Sequence, residues 1–267
     1  MKLRSSLSSA FYFGQLLLGY RDKGVRILCY HNINDSDQKY TTVSVFNFKA
    51  QMEFLHRHGY QTVSLNVIAS DRRERSNLNG IASSAPRVLP TGQRCSPPCG
   101  TALQPPRNDD GMKKIVITFD DGYRDNYENA FLIMKKLGFK GTIFCIGEKI
   151  GQAGYLTKEE IREMAKSGFE FGSHTLSHRD LPTLHSTEKE REIKDSKSFL
   201  SNELELNADY FCYPRGLYDP ESVELVKQAG YRAACSNAPG SNCISKNGKR
   251  KMSLSIYEEN FLNTLAL

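Results

Sequence analysis

The sequence predicts an α/β fold in which parallel strands alternate with helices around one sheet or barrel. From residue 25 onward, short runs of strand character alternate with helical patterns, and several of those patterns stop at a glycine just before the next strand. The length of 267 residues also fits a (β/α) barrel, which occupies about 250 residues as one unit. With 39% hydrophobic and 25% charged residues, the composition is that of a globular protein. It excludes a polytopic membrane protein, a collagen-like fibre and a wholly disordered chain. The net charge of +6 permits an anionic partner without pointing to one.

Taken in order, residues 1–24 form an N-terminal segment, with Lys2 and Arg4 ahead of Phe11, Phe13, Leu16, Leu17 and Leu18. Gln15 interrupts the apolar stretch and no small-residue cleavage site follows, so a cleavable signal peptide is not expected. An amphipathic helix that packs on the body or touches a membrane surface is expected instead. The remainder, 25–267, reads as one domain with strands at 25–31, 61–65, 114–120, 141–146, 169–174, 210–214 and 231–236. Helices are expected from Phe46 to His58, Asn126 to Leu137, Thr157 to Ser167, Thr187 to Leu204 and Pro220 to Ala229. Thr157, with Glu160 three residues on, has the pattern of a capping box. Residues 70–112, rich in Ser, Pro, Gly, Asn and Arg, break the rhythm and read as a flexible insertion within the domain.

Most of the seven cysteines, Cys29, Cys145 and Cys212 among them, lie in apolar runs and read as small buried hydrophobes. Cys95 and Cys99 have near-ligand spacing, but no second such pair completes a zinc site.

The chemistry concentrates at strand ends. Thr118-Phe119-Asp120-Asp121-Gly122 closes an apolar strand, which puts two carboxylates where parallel α/β sheets and barrels carry their sites. Alternation would send the two carboxylates to opposite faces, and the turn at Gly122 is expected to bring both to one site. His174 and His178 follow another strand, and their spacing suits one face of a helical turn holding one metal ion. An Asp–His–His set leaves coordination positions open and is compatible with Zn, Fe, Co, Ni or Mn.

Thr-Phe-Asp-Asp-Gly at 118–122 followed by His-Thr-Leu-Ser-His at 174–178 resembles the polysaccharide deacetylase family, the NodB-homology carbohydrate esterases. The resemblance implies a distorted (β/α) barrel of seven or so parallel strands that removes N-acetyl groups from amino sugars. It implies Asp120 as general base, and Asp121, His174 and His178 as ligands of a divalent metal, Zn in the first place. The family's third motif is Arg-x-Pro-[Tyr/Phe]-Gly or a Tyr-Pro-Tyr-Gly-like variant, and this chain has Cys-Tyr-Pro-Arg-Gly at 212–216. Pro214 and Gly216 match, Arg215 replaces the aromatic, and the base-orienting Arg is absent. The backbone N–H of Arg215 remains a candidate oxyanion donor, because that role needs no particular side chain. Arg-Ile-Leu-Cys-Tyr-His at 26–31 is similar to a circularly permuted branch that deacetylates poly-N-acetylglucosamine, which assigns the general acid to His31. Tyr123 and Tyr213 flank the motifs as candidate sugar platforms, with barrel packing as the alternative for each.

The expected activity is metal-dependent hydrolysis of the N-acetyl amide of an amino-sugar polysaccharide or glycoconjugate, with release of acetate. The alternatives are a hydrolase of a non-carbohydrate amide and a non-catalytic carbohydrate-binding protein on the same scaffold. The expected partner is a glycan. No nucleic-acid module accompanies the basic run at Lys246, Lys249, Arg250 and Lys251, and the compartment is the bacterial cell envelope or the cytoplasm.

Overall fold

Strand β1 (Arg26–Tyr30) pairs in parallel with β5 (Lys113–Phe119), and this is the longest ladder of the sheet. The computed structural model describes residues 26–36, 39, 41–65, 113–236 and 254–255. The N-terminal segment 1–24, the insertion 70–112, Cys95, Cys99 and the basic run at 246–251 lie outside the described residues. Between β1 and β5 come the short pair β2 (Asn32–Ile33) and β3 (Thr42–Val43), helix α1 (Val45–Arg57) and β4 (Tyr60–Thr62). A π-helical stretch, Asn126–Phe131, then runs into α2 (Leu132–Lys136). It is followed by β6 (Thr142–Cys145), α3 (Lys158–Lys166), β7 (Glu170–Ser173) and α4 (Ser186–Leu204). The chain continues through β8 (Tyr210–Cys212), α5 (Pro220–Gln228), β9 (Ala233–Cys235) and β10 (Leu254–Ser255).

All pairings in the main sheet are parallel, in the order β10-β1-β5-β6-β7-β8-β9, and β4 joins the start of β5. The eight-stranded sheet curls into a half-barrel. Among the described residues no ladder joins β9 to β10, and the curled parallel sheet is the distorted (β/α) barrel that the sequence predicts. Seven expected strands form. The eighth, β10, spans two residues, too few to leave a periodicity in sequence.

Alternation splits the apolar residues of the sheet into two layers. Leu28, Tyr30, Ile115, Ile117, Phe119, Ile143 and Phe171 pack outward under α1, α2 and α3. Tyr30 and Phe119 meet Phe48 of α1 at ring-centroid distances of 5.2 and 5.9 Å. Ile27, Val116, Phe144, Tyr210, Cys212 and Cys235 fill the inside of the curl. The helices are held at their starts as their sequences require. Thr157 accepts from the Glu160 N–H while the Glu160 carboxylate accepts from Thr157 N–H, the expected capping box, which contributes about 1 kcal/mol. Asp219 caps α5 through the Ser222 N–H at 2.8 Å. Buried Lys189 of α4 donates to Asp219 and Glu221, each at 2.6 Å, and so ties α4 to α5. No helix among the described residues is long and apolar enough to cross a membrane.

Candidate active site

Register builds the site. Tyr30 lies opposite Phe119, so the next residues, His31 and Asp120, leave adjacent parallel strands side by side. Both follow outward-packing aromatics and therefore turn inward. The Asp120 N–H donates to the Tyr30 carbonyl at 2.8 Å, and His31 Nε2 stands 3.9 Å from Asp120 Oδ2. Asp120 is 1% exposed, whereas His31 opens to solvent with 22% of its side chain accessible. The π-helical stretch clamps the segment that follows β1. Asn126 Nδ2 donates to the His31 carbonyl and Asn129 Nδ2 to the Ile33 carbonyl, both at 2.7 Å.

A strand continued through residue 121 would point Asp121 outward. Instead Asp121 takes φ 69° and Gly122 φ 73°. Aspartate is among the few side chains that accept the left-handed region, so the turn belongs to Asp121 as much as to Gly122. Gly122 is also needed for space, since a Cβ there would lie 3.0 Å from Cys145 Sγ.

His174 and His178 do reach one site, but not from a helical turn as their spacing predicts. Residues 174–178 form an irregular loop with Thr175 at φ 65° and His178 at φ 64°. The loop is stitched by its own hydroxyls: Ser173 Oγ accepts from Thr175 N–H at 3.1 Å, and Thr175 Oγ1 from His178 N–H at 2.9 Å. Glu192 of α4 receives the Ser177 N–H at 2.8 Å and its hydroxyl. Such local bonds compete with helix formation.

Asp121 Oδ1 lies 3.6 Å from His174 Nε2 and 3.4 Å from His178 Nε2. That oxygen is buried and accepts no hydrogen bond, a costly arrangement for a carboxylate unless a cation shares it. The His174 Nδ1 lies 2.8 Å from the Cys212 carbonyl. A carbonyl only accepts, so Nδ1 carries the proton and Nε2 keeps its lone pair for a ligand. Burial and the neighbouring His174 lower the pKa of His178, favouring the neutral ring that ligation needs. These three residues fit a divalent cation with open positions.

Asp120 has neighbours that the sequence reading treated only as packing. Cys29 Sγ lies 3.3 Å from its Oδ2, and Cys212 Sγ 3.7 Å from both carboxylate oxygens. Burial first, and the Asp120 carboxylate second, hold both thiols well above the ordinary cysteine range, so each presents an S–H toward Asp120. The signal was in the sequence: Cys29 precedes His31 by two and so shares its face. Cys212 stands two residues before Pro214, the place of Arg in the Arg-x-Pro motif.

The third motif ends β8. Arg215 has φ 53°, and the N–H groups of Gly216 and Leu217 close the turn onto Tyr213 and Pro214 at 2.8 and 3.0 Å. The Arg215 side chain points away to Asp180 Oδ2, at 2.9 Å. Tyr213 is 4% exposed and packs against Phe211 and Tyr218, so it belongs to the core and not to a sugar platform. Tyr218, 53% exposed, is the open ring on that turn. Tyr123 stacks on Tyr155 at 5.2 Å, and burial followed by the charge of Asp121 raises its phenol pKa.

Residues 107–234 match the family model described as Polysaccharide deacetylase. The chain carries a polysaccharide deacetylase domain. The chain is 32% identical over 214 residues to YxkH of Bacillus subtilis, named for the same family, covering 80% of this chain and 64% of that protein. It is 29% identical over 137 residues to a poly-beta-1,6-N-acetyl-D-glucosamine N-deacetylase of Staphylococcus aureus, covering 45% of this chain and 46% of that one. The chain thus spans between about half and two thirds of the length of these relatives. Among solved structures, the deacetylase PplD of Streptococcus pyogenes, determined with acetate, superposes with a TM-score of 0.68 at 25% identity. That alignment covers 90% of this chain and 97% of PplD.

Proposed function

We propose that this deacetylase domain hydrolyses the N-acetyl amide of an amino-sugar polymer of the poly-N-acetylglucosamine type, with a divalent cation held by Asp121, His174 and His178. One observation carries the reading: a buried carboxylate, Asp120, stands between this ligand set and a half-open histidine, His31. When bound, the cation supplies Lewis acidity toward the acetamide carbonyl and makes water a better nucleophile near neutral pH. Zinc suits this donor set, and iron, cobalt, nickel and manganese share its preferences.

The chain's own residues do the rest. Asp120 accepts the proton of the attacking water. Cys29 and Cys212 hold the carboxylate with weak S–H donors, where the family motif has an arginine. The Arg215 N–H, placed in the left-handed turn after β8, donates to the developing oxyanion. An amine leaves badly unless it is protonated, so His31, across from Asp120, delivers a proton to the sugar nitrogen. The half-open position of His31 suits contact with a polymer. The Tyr123–Tyr155 stack and Tyr218 offer apolar ring faces on a chain without tryptophan.

The test is acetate release from poly-N-acetylglucosamine fragments, with added Zn²⁺ and with a chelator. Cation-dependent release that the chelator abolishes supports the reading. Release that chelation leaves unchanged removes the cation from it, and absence of release from any N-acetylated glycan by the cation-loaded protein turns the reading toward a non-sugar amide.

A further inference from the structure

The thiols around Asp120 create a second set of ligands. One carboxylate oxygen of Asp120, a ring nitrogen of His174 and Cys212 Sγ all lie within 4.8 Å of one another. Cys29 adds a second sulfur, 3.3 Å from Asp120 Oδ2. All three members of the set are buried, and neither Cys29 nor Cys212 is in a disulfide. Thiolate, imidazole and carboxylate together select soft or borderline cations over magnesium or calcium.

We infer that Asp120, His174 and Cys212 form an inhibitory site for a thiophilic divalent cation, with Cys29 beside it as an auxiliary sulfur. His174 makes this site and the Asp121–His174–His178 site mutually exclusive. Its Nδ1 is committed to the Cys212 carbonyl, so a single lone pair, on Nε2, serves whichever cation is present. Binding displaces the Cys212 thiol proton to solvent and forms a sulfur–metal bond, with no change of oxidation state. A cation seated there ties up the Asp120 lone pair and draws His174 away from the other ligands. The binding claim stands on geometry alone, and the inhibitory consequence rests on the catalytic reading given above.

Cadmium is the probe, because a cadmium–thiolate bond has its own ultraviolet charge-transfer absorbance. The full chain is used with Cys95→Ser and Cys99→Ser, so that this pair contributes no signal. Titration with Cd²⁺ is expected to raise the absorbance in this background, and at equal or lower Cd²⁺ when His178→Ala removes a ligand of the competing site. Cys212→Ser is expected to lose the signal or to need at least about tenfold more Cd²⁺. Asp120→Asn, which preserves side-chain volume, is expected to weaken binding by a similar factor and serves if Cys212→Ser does not fold. A background protein without the signal, or a signal that survives both Cys212→Ser and Asp120→Asn, overturns the site. Half-inhibition of acetate release should track the absorbance, and inhibition at Cd²⁺ levels that produce no absorbance overturns the inhibitory role. A chain with Cys212-dependent absorbance and no acetate release on any glycan keeps the site and loses the deacetylase reading.

Discussion

His31 and Asp120 face each other just past the last rung of a parallel ladder, with Nε2 3.9 Å from Oδ2. The register that pairs Tyr30 with Phe119 makes this meeting unavoidable, because the next residue on each strand turns into the curl. A buried carboxylate and an imidazole thus stand on one wall of the site, with the histidine nearer solvent, the pair that the proposed mechanism uses as base and acid.

Asp120→Asn keeps the shape of the base and removes its proton affinity. Turnover should fall about 10²–10⁴-fold while the bound cation, held by Asp121, His174 and His178, is retained. Acetate release and elemental analysis of the same preparation measure the two halves. Wild-type turnover would remove Asp120 from the role of base.

His31→Gln should slow amide hydrolysis by a similar factor, because the amine must be protonated to leave. An activated aryl acetate, whose phenolate departs without a proton, should be affected far less. Equal losses on both substrates would show that His31 acts otherwise than as an acid.

Gly172 sits inside the curl on β7, two residues before His174. A Cβ there would lie 2.7 Å from Phe144 Cδ1 and from the Tyr210 carbonyl oxygen. Gly172→Ala should cost about 1–3 kcal/mol through overpacking and lower the melting temperature by about 2–4 °C per kcal/mol. An unchanged melting temperature would mean that the Phe144 ring moves freely, contrary to its full burial.

Asp219 is an acid-sensitive group of the α4–α5 contact, beside Glu221, whose pKa the same Lys189 lowers. Burial alone would raise its pKa, but the hydrogen bonds from Lys189 and from Ser222 outweigh it and bring the value down to about 2. A carboxyl depressed on folding contributes stability that is complete above the unfolded value near 3.9 and is lost as pH falls toward the folded one. Denaturant unfolding between about pH 4 and pH 2 should therefore show a steeper loss in wild type than in Asp219→Asn. Parallel profiles would assign the acid sensitivity to other carboxylates.

Much of this was legible in the chain. Seven strands and five helical segments carry local periodicity, caps and terminal glycines, so their existence follows from neighbours in sequence. The same holds for the strand-end motifs around Asp120, His174 and Arg215. The two-residue β10 could not be read, because pairing with β1 alone defines it. The loop 174–178 was misread because spacing describes a helix and an irregular turn equally well. There the hydroxyls of Ser173 and Thr175 and the distant Glu192 decide the conformation. The choice between platform and packing for Tyr213 was open for a related reason, since an aromatic beside a motif packs inward or outward according to the strand that carries it.

The sequence by itself determined the alternation of strands and helices, the polarity of each strand and the set of residues able to do chemistry, because these depend on side chains a few positions apart. Only the tertiary structure decided which residues meet. Register set His31 against Asp120, the left-handed turn at Asp121 brought the second carboxylate round to the histidines, and the inward face of two strands placed Cys29 and Cys212 on the base. Those relationships join residues more than fifty, and for Asp120 some ninety, positions apart, and only the pairing of strands across the sheet fixes them.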